Sequence, residues 1–220
     1  MELDWAAHFE RERARYADGE ARLPGISDPD ERQRQLTRMG NAAGGAGLAL
    51  LMDGRRDEAA DWFARAAGRY RESYADAPPG SWGRPIGAMK ARVLAGDQAA
   101  AEDDARWTLR EGAAESDSTI GRYAGCLALL ILGRHDLAPE ATLTLCGRDD
   151  FPESVAEAMA MIAIGHVGRY EQAIADVLRS FETRAAYLED IPVADTVIVL
   201  QALAARRGLA VALGSPLLPA

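Results

Sequence analysis

The side chains with the most reactive chemistry in this chain are three histidines, His8, His135 and His166, and two cysteines, Cys126 and Cys146. No histidine stands at helical ligand spacing from another histidine, a cysteine or a paired carboxylate, so a zinc site has no pair of ligands to start from. His135 and His166 flank two turns, where capping or exposure is the expected role. The cysteines lie twenty residues apart without a paired-cysteine motif. The expectation is two buried free thiols in a reducing compartment rather than a disulfide. Glu102-Asp103-Asp104 and Asp149-Asp150 concentrate carboxylates but do not alternate oxygens as a calcium loop does. Solvated charge is expected of them, with Asp150 helping a helix start ahead of Phe151-Pro152. Ser81 lacks a nucleophile-elbow context. The glycines of 40–47 follow a helix rather than a strand and precede no lysine, so they form no phosphate loop. No catalytic residue, metal ligand or cofactor is assigned.

One connecting segment carries recognition chemistry instead. Residues 77–85, APPGSWGRP, hold an indole and a guanidinium between residues that stiffen the backbone. Trp and Arg are enriched at binding hot spots, and a rigid loop loses little entropy on binding. The segment allows two readings. Trp82 and Arg84 contact a partner, or Trp82 folds back as a plug while Arg84 pairs with a nearby carboxylate.

These residues depend on helices. Residues 3–22 read as a charged amphipathic helix with Trp5, Phe9 and Tyr16 on one face, placed to cap the helices after it. Asp28-Pro29-Asp30-Glu31 is a helix start: Asp28 caps, Pro29 fits the first turn and Glu31 completes a capping box. The next helix meets Gly40, Gly44, Gly45 and Gly47. These predict either a break near 44–45 or a face cleared for a close neighbour. Gly54, Gly96, Gly133 and Gly168 then recur 42, 37 and 35 residues apart, each followed five positions later by alanine: Ala59, Ala101, Ala138 and Ala173. Each glycine closes one apolar helical pattern and opens another, which predicts left-handed turns between paired helices. In the third repeat Pro139 must kink or restart the second helix unless it lies in its first turn. A fifth apolar stretch, 193–205, ends at Gly208. The tail GSPLLPA cannot be helical through its prolines.

Composition bounds the partners. The 220 residues are 48% hydrophobic and 27% charged, and alanine supplies about a fifth of them, which suits closely packed helices. A net charge of -9 argues against nucleic acid and anionic membranes, both of which need clustered positive charge. Lys90 is the only lysine. The N-terminus is charged from residue 2, unlike a signal peptide, and no apolar run approaches the ~20 residues of a membrane span. A cytoplasmic location is expected.

AGLALLMDGRRDEAADWFARA, residues 46–66, resembles a tetratricopeptide repeat, and GRYEQAI, residues 168–174, repeats its turn and second-helix start. Gly47 stands at the family's small position in helix A, Gly54 at the turn, and Ala59 at the tight crossing. Phe63 and Ala66 complete the pattern. Met89, Cys126 and Met161 depart from the small residue matched by Gly47, and the spacing exceeds the family's about 34 residues. The resemblance spans residues 40–206. It implies an all-α, right-handed array of about four antiparallel hairpins in a single domain, 1–220. That domain comprises an N-terminal helix at 3–22, hairpins at 29–205 and a tail at 206–220. It further implies a concave groove lined by helix A. Asn41, Lys90, Arg84 and Tyr123 fall on that face, Lys90 beside Arg84 as a small positive island suited to a peptide carboxylate. Arg122 stands ready to join them, and Trp82 adds an aromatic anchor. The expected function is non-enzymatic binding of a protein or peptide. An enzyme or small-molecule site under the Trp82–Arg84 loop is the alternative. Structural self-association through the tail or the N-terminal aromatics is a third reading.

Overall fold

A computed structural model describes residues 4–220, and all regular secondary structure among them is helical. Helix α1 spans Trp5–Arg22; Asp4 caps it, its carboxylate accepting from the Ala7 amide at 2.9 Å. The expected start at Leu3 lies outside the described residues. A 3-10 turn, Leu23–Gly25, leads to α2, Pro29–Met52. Asp28 accepts from the Glu31 amide at 2.7 Å and Pro29 occupies the first turn. Next come α3 (Arg56–Tyr74), α4 (Gly83–Leu94), α5 (Gln98–Arg110), α6 (Thr119–Ile131), α7 (Ala138–Leu143), α8 (Glu153–Ile164) and α9 (Val167–Glu182). A second 3-10 turn, Leu188–Asp190, precedes α10, Asp195–Ala205. No helix among the described residues is long and apolar enough to cross a membrane.

The four glycines of α2 do not break it. A Cβ at Gly40 would lie 2.8 Å from the Tyr70 ring, one at Gly47 2.7 Å from the Phe63 ring, and one at Gly45 2.9 Å from Ile191 Cδ1. The glycines clear space for side chains from neighbouring segments, and the packing gained offsets their poor helix propensity.

The fourth expected turn lies elsewhere. Gly54, Gly96 and Gly133 have φ of 78°, 72° and 67°, as expected of turn glycines, but the fourth turn is made by Gly165, φ 78°. Gly168 lies inside the first turn of α9. The amide of Arg55 donates to Leu50 O and that of Gly54 to Leu51 O, a Schellman closure repeated at Gly96 and Gly133. At Gly165 the amides of Gly165 and His166 both donate to Met161 O. Moving the register by three residues keeps the same helix face inward, so the apolar pattern alone accepts either glycine. Ala158, seven residues before Gly165, and Tyr170, five residues after it, are both fully buried. Pro139 sits in the first turn of α7, and that helix is only six residues long.

Two compact units emerge. One comprises the chain up to Asp97 together with Ala185–Val193 and Pro216–Ala220. In it α1 packs on α2, α2 on α3, and α3 on α4, around Leu36, Met39, Leu50, Phe63 and Met89. The face of α1 that carries Phe9 and Tyr16 meets Trp62 of α3 edge-on, with ring centroids 5.8 and 5.4 Å away. The other unit comprises Gln98–Arg184 and Ala194–Ser215. There α5 to α9 pack in chain order and α10 lies against α8 and α9. Arg206 Nη1 donates to Ile131 O at 2.7 Å and Arg207 Nη1 to Ala163 O at 2.7 Å. These bonds satisfy last-turn carbonyls of α6 and α8 and place positive charge at the negative ends of both helices. Gly208, φ 66°, ends α10 as expected, and the tail beyond it contains no helix.

Candidate partner-binding surface

The stiff loop folds into a compact entry to α4. Pro78 O accepts from the Ser81 hydroxyl at 2.6 Å and from its amide at 3.2 Å, Gly80 takes φ 80°, and α4 starts at Gly83 with Pro85 in its first turn. Trp82 at the helix entry is 7% exposed. That burial favours the plug over the open anchor.

Arg84, two residues on, is half-buried and donates through Nη2 to Gln33 Oε1 of α2. Gln33 is itself buried and held by Asp30, to whose Oδ1 its Nε2 donates at 2.8 Å. Arg84 Nε is buried without a partner, and among the described residues the guanidinium meets no carboxylate. Burial therefore pushes its pKa below the usual arginine value. The expected carboxylate partner of Arg84 is absent, and a neutral amide takes its place.

The remaining candidates divide between the two units. Asn41 accepts from the Tyr70 hydroxyl at 2.9 Å. The Tyr70 ring lies between Gly40 of α2 and Gly87 of α4, where added Cβ atoms would each approach it to 2.8 Å. Asn41 thus fixes an aromatic wedge between two helices. Lys90 is half-buried on α4, six residues from Arg84 and so about 120° from it around the helix axis. Arg122 and Tyr123 belong to α6 in the other unit. Arg122 Nε donates to Ser116 O at 3.1 Å, and the Tyr123 ring lies 5.2 Å from that of Phe151.

The reactive side chains sit in ordinary surroundings. His166 caps α9, its Nδ1 accepting from the Arg169 amide at 3.3 Å. His135 is half-buried, and burial with the charges of Arg207 and Arg206 pushes its imidazole below the usual histidine value. Burial pushes the Cys126 thiol up to about 12. Cys146 is exposed, contrary to the expectation of two buried thiols, because α7 stops short and leaves it in a surface turn. Asp150 does not help start α8; it accepts from the Thr119 hydroxyl at 2.5 Å and pairs with Arg148 at 3.1 Å. Asp104 is buried rather than solvated. Among the described residues no group of three or more His, Cys, Asp or Glu is placed to hold a metal ion.

A second cluster in the first unit lies outside the candidates that the sequence singles out. Glu12 of α1 is fully buried, its carboxylate accepting from Arg11 Nε at 2.7 Å and Arg15 Nη1 at 2.8 Å. The same two guanidiniums reach residue 189: Arg11 donates to the Glu189 carbonyl and Arg15 to the Glu189 carboxylate. Ile191 lies over Gly45 beside Glu12. The only sequence signal was Gly45, whose missing Cβ reports a close neighbour without naming it. No protein-family model, curated protein or solved structure matches the chain.

Proposed function

We propose that this protein is a non-enzymatic module of tetratricopeptide-like helical hairpins, arranged as a right-handed array, that binds a protein or peptide partner in the cytoplasm. The shared helix closures at Gly54, Gly96 and Gly133 support the repeat reading, as does the close approach of Phe63 to Gly47. The observation that carries the binding reading is Arg84. A guanidinium stripped of part of its water and given only a neutral amide is held at a cost. A partner carboxylate reaching the guanidinium offsets that cost with a charge-assisted contact. Gln33, buried and anchored to Asp30, fixes the guanidinium for that approach.

Arg84→Met tests this. Its melting temperature should equal or slightly exceed that of the unmodified protein, since an unpaired, partly buried charge is removed. On an array of peptides bearing terminal or internal carboxylates, the peptides retained by the unmodified protein should lose roughly tenfold or more in affinity for the variant. Unchanged binding across the array would remove Arg84 from the partner site.

A further inference from the structure

Three local facts converge on the face of the first unit where α1 meets α2. Gly45 leaves a notch in α2, and Ile191, 2% exposed, fills it with Cδ1 2.9 Å from where a Cβ would stand. Arg11 and Arg15 stand on the rim of the notch, held by the buried Glu12, and their outer donors grip the carbonyl and carboxylate of Glu189. The gripped segment is backbone-strained: Glu189 and Asp190 have φ of 55° and 53°, a left-handed conformation uncommon outside glycine and costlier for Glu189 than for Asp190.

The rim does not need the strap to keep its arginines in place, because Glu12 already pairs with both of them. What the strap supplies is a ligand: an acidic residue followed two positions later by an aliphatic one, presented in a tight turn. We infer that the Gly45 notch with Arg11 and Arg15 is a docking site for an acidic-x-aliphatic segment of a partner protein, occupied here by the chain's own Glu189-Asp190-Ile191 as an autoinhibitory stand-in. Covalent attachment gives the stand-in a high effective concentration, and its strained backbone lowers its intrinsic affinity. A partner segment with glycine or asparagine at the strained positions reaches the same contacts without that strain and displaces it. The site is separate from Arg84 and does not depend on that reading.

The test uses the full chain and a fluorescein-labelled peptide of residues 185–195, AAYLEDIPVAD, with glycine replacing aspartate at position 190. The double variant Glu189→Ala, Ile191→Ser releases the strap. Fluorescence anisotropy should show it binding the peptide at least tenfold more tightly than the unmodified protein, and adding Arg15→Ala should abolish the gain. Arg84→Met should leave this binding unchanged, which separates it from the carboxylate site at α4. Equal binding by the folded double variant and the unmodified protein would overturn the inference. A double variant that forms dimers by light scattering without binding peptide would also overturn it, because the occupant would then be a second copy. If the double variant does not fold, hydrogen exchange on the unmodified protein decides. Excess peptide should speed exchange of the amides of 188–193, and no change would end the proposal.

Discussion

Trp82 and Arg84 stand two residues apart at the entry to α4, one at its N-cap and the other in its first turn, and meet opposite fates. The indole is buried; the half-buried guanidinium has only an amide for a partner. Their types and the surrounding prolines and glycines made the loop stand out, but not which side chain turns inward. That depends on the space beside α4, which other segments define. The burial leads to a measurable difference: Trp82→Ala should cost about 3–5 kcal/mol of stability, the penalty for emptying a large aromatic site. Chemical denaturation would measure it, and a loss within ~0.5 kcal/mol would mean that the ring contributes little packing. The same contrast holds at the α2 glycines. Their presence predicted close approach or a break, and only the rings of Tyr70 and Phe63 and the side chain of Ile191 showed which.

At the scale of elements, caps and stops were the most legible features. Asp28 and Pro29 start α2 as their types require, and three of the four expected glycines turn the chain. The fourth was misplaced by one helical turn because both candidates, Gly165 and Gly168, suit the same inward face. Substitution separates their roles. Gly165→Ala should destabilise by about 1–2 kcal/mol, since a Cβ is disfavoured at φ 78° and would also stand 3.2 Å from Arg207 Nη2. Gly168→Ala should stabilise by ~0.5–1 kcal/mol, because it lies in a helix and its Cβ would meet nothing closer than 4.0 Å. Thermal melts of the pair check both signs, and a reversed order would restore Gly168 as the turn. The short α7 was signalled only in part: Pro139 marked its start, but nothing local marked its early end.

For the whole molecule, chain order and spatial membership part company. The first compact unit needs residues from three separated stretches, among them 185–193 and the tail from Pro216, where Leu217 is buried. A fragment ending at Asp97 lacks Ile191 over Gly45 and the Glu189 contacts of Arg11 and Arg15. In that fragment the amides of α2 around Gly45 should exchange about tenfold faster than in the full chain; equal protection would mean that the later stretches add nothing to α2. The sequence by itself determined the helical class, the cap of α2, three glycine helix stops and the acidic charge balance. Each depends on propensity, periodicity or charge, which act over a few residues or sum over all of them. The tertiary structure decided the burial of Trp82, the lone guanidinium of Arg84, the wedge of Tyr70 between Gly40 and Gly87, and the return of residues 185–193 to α1 and α2. These are contacts between residues far apart in the chain, fixed by complementary shape and charge that no local window of sequence contains.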